Sequence, residues 1–190
     1  VLRDLHVARA GLIKDRTRLR NRAQTQDIAI LKRQTKARLA QVERQIAELD
    51  TEIARVIEAT TSTARCRDIL CSMPGIGPVT AAAVLTLFPE IGTLERKAVA
   101  SLAGLAPITQ QSGQWQGKAF IKGGRKPLRD ALYMPALVAM RFNPDLKTKY
   151  EALRTTGKPA KVAIVAIMRK LIEMANALVK ADRMWAPKTA

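Results

Sequence analysis

The chain has 190 residues, of which 47% are hydrophobic and only 4% are aromatic. This hydrophobic content excludes a disordered chain, and the scarcity of aromatic residues favours packed helices over a β-sandwich. The 33 Lys and Arg residues exceed the 16 Asp and Glu residues by 17. Such an excess predicts a polyanionic partner, nucleic acid rather than an anionic membrane surface. The longest apolar run, residues 162–168, is too short to cross a bilayer.

Residues 1–62 are predicted to form a helical coiled-coil arm. Up to residue 59 there is no proline and a single glycine, Gly11, among many good helix formers. From Leu39 to Val56 the apolar residues recur in alternating steps of three and four, which is the a/d seam of a coiled coil. No apolar stripe crosses residues 20–26, where a reversal would give an antiparallel hairpin. The seam fits either a hairpin within one chain or a dimerisation arm.

The remaining region, residues 63–190, is predicted to open with a helix-hairpin-helix at about 64–88. Its turn reads P-G-I-G-P, and Pro78 is a favoured first residue of the second helix. Gly75 and Gly77 would let a nucleic-acid backbone approach closely, while the free amides and positive end of that helix point outward. The alternative is an ordinary helical corner in which the glycines only make the turn.

A polar serine loop is predicted at about 106–126. Alternation in KAFIK, residues 118–122, after Gly113 and Gly117, predicts a small β-hairpin or irregular loop with Ser112 near its tip. Trp115 is available to stack on an unpaired base, although a lone tryptophan more often packs against its own domain.

A helical cluster is predicted at 127–182, with its boundaries marked by proline, asparagine and glycine. Pro127 favours a helix start, and Pro135 is expected to kink or interrupt that helix. Asn143 caps the next helix. The other marks are Pro144 and Gly157 for the start and end of that helix, Pro159 for the start of the last helix, and Thr93 and Gly104 for the cap and stop of an earlier one at 94–103. The fold class is mainly α: a long coiled-coil arm, then a compact helical domain with a small β or loop insertion.

Basic residues concentrate around the serine loop. Between residues 113 and 161 eleven Lys and Arg residues face three acidic residues, an imbalance that favours nucleic-acid contact over a merely solvated face. The cations nearest the loop and the following helix start are Lys118, Lys122, Arg125, Lys126 and Arg129. We predict that they contact phosphate together with the backbone of Gly75, Gly77, Gly113 and Gly117.

The composition also bears on chemistry at a phosphodiester. Such chemistry needs a nucleophile, charge stabilisation and usually metal ions held by carboxylates. The chain supplies the first two, but its acidic residues share no spacing, and its single histidine, His6, is remote from Ser112. A tyrosine recombinase using Tyr133 or Tyr150 would draw on an Arg/His constellation that one histidine cannot readily provide. Cys66 and Cys71 do not make a zinc motif.

From about residue 70 to 144 the sequence resembles the C-terminal transposase domain of the IS110 family of insertion sequences, relatives of the pilin-gene invertases. The matching stretches are PGIGPVTAAAVL and ASLAGLAPITQQSGQWQGKAFIKGGRKPLRDALYMPALVAMRFNP. The order and spacing of GIGP, AGLAP, Q-S-G and K-G-G make the resemblance specific. The preceding arm also looks like the helical connector of that family.

The resemblance implies a division of labour between two domains. In the family an N-terminal domain resembling a Holliday-junction resolvase carries four acidic metal ligands, and the C-terminal domain carries a nucleophilic serine, which by motif is Ser112. It also implies a structured guide RNA that bridges donor and target DNA, and a homo-oligomer, dimer or tetramer, with composite sites. The acidic domain is absent from this sequence, so we expect no cofactor or metal ligand here and magnesium only in a full-length protein.

These expectations combine into one functional prediction. The chain is predicted to be a DNA transposase or recombinase fragment, inactive by itself, that supplies the serine nucleophile under the direction of a guide RNA. The alternative is a non-catalytic nucleic-acid-binding and dimerisation module. Partners are then DNA, guide RNA and further copies through the arm, with no membrane, and the location is the bacterial cytoplasm in association with the nucleoid.

Overall fold

The computed structural model describes residues 1–109, 111, 112, 115–117 and 119–187, and for Gln111, Trp115 and Gln116 it describes the backbone. These residues form eight α-helices and four two-residue strands, which confirms the mainly α class with a small β insertion. The chain divides into two units, Val1–Thr61 and Ser62–Ala190. No helix among the described residues is both long and apolar enough to span a membrane.

The first unit is an antiparallel pair of helices, α1 (Leu2–Gln24) and α2 (Ala29–Glu58). Two ion pairs join the helices: Arg9 contacts Asp50, and Arg20, closer to the turn, contacts Glu43 at 2.9 Å. The apolar seam is therefore used, in this structure, for a hairpin within one chain. Association between arms stays a prediction.

The seam of this hairpin is only partly covered. Ile46 and Ile53 are buried, whereas Leu39, Val42 and Leu49 are half-buried. Each helix of a two-helix hairpin buries only one narrow apolar stripe against the other helix, so residues at the edge of that stripe remain in contact with solvent.

The second unit contains the other six helices, built around α8. Their bounds are α3 (Thr61–Cys71), α4 (Pro78–Leu87), α5 (Arg96–Leu102), α6 (Lys126–Phe142), α7 (Pro144–Thr155) and α8 (Ala160–Lys180). Helix α8 packs against α5, α6 and α7, and α4 packs against α6. Leu128 and Leu132 of α6 and Ile167 and Leu171 of α8 are fully buried in a shared hydrophobic core. Burying each such side chain contributes roughly 1.5–3 kcal/mol.

Most helix boundaries follow the local chemistry of the sequence. The Asn143 side chain accepts a hydrogen bond from the backbone N–H of Leu146 at 3.3 Å and so caps α7. Gly157 has a φ of +78° just after that helix, and Pro159 precedes α8.

Helix α6 continues through Pro135, so no interruption occurs there, while a kink at Pro135 stays a prediction. One expectation about a helix boundary was wrong. Thr93 does not cap α5, which begins later, at Arg96, with Glu95 at its N-cap; the Thr93 hydroxyl donates instead to the carbonyl of Glu90 at 2.7 Å. Thr93 therefore belongs to a turn that precedes α5.

The four strands lie between α5 and α6 and form two nested antiparallel pairs. Strand β1 (Pro107–Ile108) pairs with β4 (Phe120–Ile121), and β2 (Gln111–Ser112) pairs with β3 (Trp115–Gln116). We call residues 107–121 the serine hairpin. It carries Ser112 away from the helical core.

Candidate functional site

Ser112 is the last residue of β2, paired with Trp115 across the serine hairpin. Its side chain is exposed, and its hydroxyl makes no hydrogen bond to any other described residue. An exposed hydroxyl at a hairpin end is free to meet a large ligand, but a neutral serine needs a base to become a strong nucleophile.

The base of the serine hairpin is fastened where two glycine loops meet. Gly104 follows α5 and Gly124 precedes α6, with φ angles of +66° and +63°. A Cβ on Gly124 would collide with the backbone of Gly104, and a Cβ on Gly104 would collide with Gly123 and Arg129. The contact therefore needs glycine for both its backbone conformation and its closeness.

Arg129, on the first turn of α6, bridges the same two loops. Its guanidinium donates to the carbonyl oxygens of Gly104 at 3.2 Å and Gly123 at 2.8 Å. The backbone N–H of Arg125 donates to the carbonyl of Leu102 at 2.7 Å. These bonds join both ends of the serine hairpin to α5 and α6.

Arg125 adds a second anchor towards α4. Its guanidinium makes two hydrogen bonds to the Glu90 carboxylate, at 2.7 and 2.6 Å, and a third to the carbonyl of Leu87 at 3.0 Å. It also lies 5.8 Å from the centre of the Phe88 ring, a cation–π distance. Hydrogen bonding from Arg125, with a backbone hydrogen bond, lowers the pKa of Glu90 to about 2, and the same pair raises the pKa of Arg125.

The predicted phosphate contacts thus differ in their surroundings. Arg125 and Arg129 have internal partners that position the serine hairpin, a role the sequence did not reveal. Lys126 pairs with Asp130 at 2.5 Å on the surface, and Lys122 is exposed without an ion pair to any described residue. Gly117 is half-buried. Phosphate binding by these residues stays a prediction.

Three predicted positions lie beyond what the structure describes. Gly113 and Lys118 are outside the described residues, as is the side chain of Trp115. The prediction that Trp115 stacks on a base is therefore unchanged.

The two glycines of the α3–α4 turn have different surroundings. Gly75 has a φ of +103°, and a Cβ there would lie 2.6 Å from the carbonyl oxygen of Pro135 and 2.9 Å from Cβ of Ala139. Gly75 is therefore required by packing against α6. Gly77 is extended and exposed, and a Cβ there would meet nothing within 4 Å. Only Gly77, at the N-cap of α4, leaves open space for a ligand.

Sequence reasoning missed Glu90 and the Gly104–Gly124 contact. The K-G-G and AGLAP stretches did stand out by their glycines, but nothing in their spacing shows that they touch. Glu90 carried no signal at all, because its partner Arg125 is 35 residues away.

The described residues contain neither a cluster of metal ligands nor an activated thiol. Among the described residues, no three His, Cys, Asp or Glu side chains come close enough to hold a metal ion. The donor set therefore does not fit magnesium, and we assign it no ligand here. Burial raises the pKa of Cys66 and of Cys71, which keeps both thiols protonated at neutral pH.

Comparison with known proteins places the serine hairpin inside a recognised domain. Residues 67–151 match the family described as Transposase IS116/IS110/IS902 family. This segment is similar to the transposase domain of that family. The matched segment includes α4, α5, the serine hairpin and α6, so it contains Ser112 and the two glycine loops that meet at the base of the hairpin.

Several relatives match a larger part of the chain. The pilin gene-inverting protein of Moraxella lacunata is 34% identical over 142 residues, which are 73% of this chain and 44% of that protein. The insertion element IS900 uncharacterized 42 kDa protein of Mycobacterium paratuberculosis is 31% identical over 80% of this chain and 39% of its own length. The insertion element IS110 uncharacterized 43.6 kDa protein of Streptomyces coelicolor is 32% identical over 75% and 35%. The chain thus spans less than half the length of these curated relatives.

Proposed function

We propose that this chain is the serine-bearing part of a DNA transposase or recombinase, with Ser112 as the nucleophile that attacks a phosphodiester. The observation that carries the proposal is the exposure of Ser112 at the end of a hairpin fastened at its base by Arg125 and Arg129 within the transposase domain. A projecting hydroxyl on a rigidly anchored support can be brought to a phosphate with defined geometry.

The proposed step exchanges one phosphate ester for another. Oγ of Ser112 bonds to phosphorus while the bond from phosphorus to one deoxyribose oxygen breaks. The hydroxyl proton leaves to a base, and the departing sugar oxygen receives a proton. Because one ester forms for each ester broken, a second sugar hydroxyl can reverse the step on another strand without ATP.

The described residues contribute orientation and charge to this step. Lys122 is an exposed cation beside β4, and the chain as a whole has a net charge of +17, which draws DNA to the surface. No described group hydrogen-bonds to the Ser112 hydroxyl as a base. We propose that the base and the metal ions belong to the acidic domain implied by the family resemblance, and that the fragment alone is inactive.

Two further features complete the proposal. A structured guide RNA selects the DNA sites, and the acidic domain of one subunit completes the serine site of another in a homo-oligomer. Both rest on the family resemblance. The name of the Moraxella relative, a pilin gene-inverting protein, supports recombination as the reaction class.

The decisive experiment compares Ser112→Ala with Ser101→Ala in the full-length protein. Ser101 is an exposed serine on α5 of the same domain, which makes it a matched control. With DNA that traps the cleaved intermediate, the unmodified protein and Ser101→Ala should form a covalent adduct that maps to residue 112. Ser112→Ala should form none and lose strand exchange while its DNA affinity changes less than about twofold.

Normal strand exchange by Ser112→Ala would overturn the assignment. If no adduct forms with any variant while DNA binding persists, the chain is instead a nucleic-acid-binding and dimerisation module.

A further inference from the structure

The arm formed by α1 and α2 is electrically polarised along its length. Residues 14–44, the half that contains the turn, hold ten Lys and Arg residues and three acidic residues. The rest of residues 1–61 hold three basic and five acidic residues. The turn half therefore has a net charge of +7 and the other half −2. A surface that only keeps a protein in solution would intersperse the two signs.

Most of the cations in the turn half are unpaired. Arg18, Arg20 and Lys32 form surface ion pairs with acidic residues, at 3.2, 2.9 and 3.9 Å. The remaining seven make no ion pair or side-chain hydrogen bond to any described residue; they are Lys14, Arg16, Arg22, Arg33, Lys36, Arg38 and Arg44. Seven free cations in one half-arm repel each other until an anion neutralises them.

Some of these cations line a groove between the two helices. The groove has a volume of about 490 Å³, and its apolar lining residues are Leu12, Leu19 and Val42. The polar lining residues are three arginines, two glutamines and one aspartate, namely Arg18, Arg22, Arg38, Gln41, Gln45 and Asp15. Arg18 and Arg22 are one helical turn apart, about 6 Å along α1. This pattern of guanidinium and amide donors along a line suits successive phosphates of one strand.

We propose that the turn half of the arm is a second DNA-binding surface, which holds the backbone of duplex DNA in the groove between α1 and α2. A second copy of the arm is the poorer occupant, because two turn halves would bring net charges of +7 together. Duplex RNA carries the same phosphate charge, and the experiment below distinguishes it from DNA. The inference rests on the proposed function only in that both involve DNA.

The test uses two double variants of the full-length protein with the same change in net charge. Arg22→Gln with Arg38→Gln removes two free cations of the groove, while Arg3→Gln with Arg55→Gln removes two cations from the other half of the arm. Circular dichroism checks that both variants keep their helices. Affinity for a 20-base-pair DNA duplex and for the matching RNA duplex is measured by fluorescence anisotropy over a range of salt concentrations.

The groove variant should bind DNA at least about tenfold more weakly near 0.15 M salt, with a salt dependence shallower by about 2, because each lost phosphate contact lowers the slope by roughly 0.9. The control variant should change affinity less than about twofold. Equal weakening in both variants would overturn the proposal, because DNA affinity would then depend on net charge and not on where the cations lie. Selective loss of RNA binding, or a change in oligomeric state with DNA binding intact, would overturn it in favour of the other occupants.

The outcome is independent of the chemistry at Ser112. If the groove variant loses DNA affinity while Ser112 forms no adduct, the DNA-binding surface on the arm is supported and the assignment of Ser112 as nucleophile is rejected. If Ser112 forms a covalent adduct while the groove variant binds DNA normally, the nucleophile is supported and the arm surface is rejected.

Discussion

Gly75 and Gly77 lie two residues apart in one turn, yet the structure places unequal demands on them. Gly75 needs a left-handed backbone and faces α6 at packing distance, whereas Gly77 is extended with open space around it. From the sequence alone, the prediction for both residues is the same: each lets a nucleic-acid backbone approach closely. The packing of α6 separates them, and that packing comes from residues 60 positions further along the chain.

Substitution of these glycines by alanine should separate stability from binding. Gly75→Ala should lower the free energy of unfolding by about 2–6 kcal/mol, since backbone strain and overpacking cost roughly 1–3 kcal/mol each. Gly77→Ala should change it by less than about 1 kcal/mol. Urea denaturation measures both. Equal destabilisation by the two variants would contradict the packing argument.

The Glu90–Arg125 ion pair should make stability depend on pH in acid. The pKa of Glu90 is depressed to about 2 in the folded chain, so the stabilisation is fully present above about pH 4.5, the ordinary value of the carboxyl, and is lost as the pH falls towards 2. Both side chains are more than one-third exposed, so solvent screening limits the effect to below about 1 kcal/mol.

Comparison of Glu90→Gln with the unmodified chain isolates this effect. Unfolding free energies measured between pH 7 and pH 2 should differ at neutral pH and converge in acid. A difference that is constant over that range would show that the carboxylate charge plays no part. The result needs no DNA and is therefore independent of the proposed reaction.

At the scale of elements, the serine hairpin depends on the loops beneath it. Gly123 and Gly124 both have positive φ angles, but only Gly124 touches Gly104. Alanine at either position costs backbone strain, and alanine at position 124 also forces the two loops apart. Comparing the two alanine variants therefore separates the cost of backbone strain from the cost of losing the contact with Gly104.

Gly124→Ala should lower the free energy of unfolding by about 1–3 kcal/mol more than Gly123→Ala, the usual cost of overpacking a tight contact. It should also reduce strand exchange by the full-length protein more strongly, because the support of Ser112 moves. Denaturation and recombination assays on both variants provide the comparison. A larger effect at Gly123 would mean that the contact with Gly104 is unimportant.

Several elements could be predicted because their signals are local. Asn143 caps α7 through a bond to a residue three positions away, and Pro78, Pro144 and Pro159 lie at helix starts because proline lacks the N–H that a first turn leaves unpaired. Thr93 misled because a hydroxyl satisfies a turn carbonyl as readily as a helix amide. Pro135 does not end α6, which packs against α4, α7 and α8. Alternation in KAFIK predicted a small β-hairpin or an irregular loop, and of these two the structure has strand at Phe120–Ile121.

For the whole molecule, the net charge of +17 should dominate DNA binding. If about six phosphates are neutralised, the logarithm of the affinity for duplex DNA should fall with the logarithm of salt concentration with a slope near −5. Titrations of the chain with duplex DNA at several salt concentrations measure this slope. A slope near zero would remove nucleic acid as the partner of the basic surface.

The anchors of the serine hairpin also set an order of events during synthesis. Glu90 and Gly104 leave the ribosome before the hairpin itself, but Gly124, Arg125 and Arg129 follow it. The Ser112 side chain therefore cannot be held in place until the start of α6 has been translated and has packed against the loops that follow α4 and α5. A nascent chain that stalls earlier carries Ser112 on a hairpin that lacks the hydrogen bonds from Arg125 and Arg129.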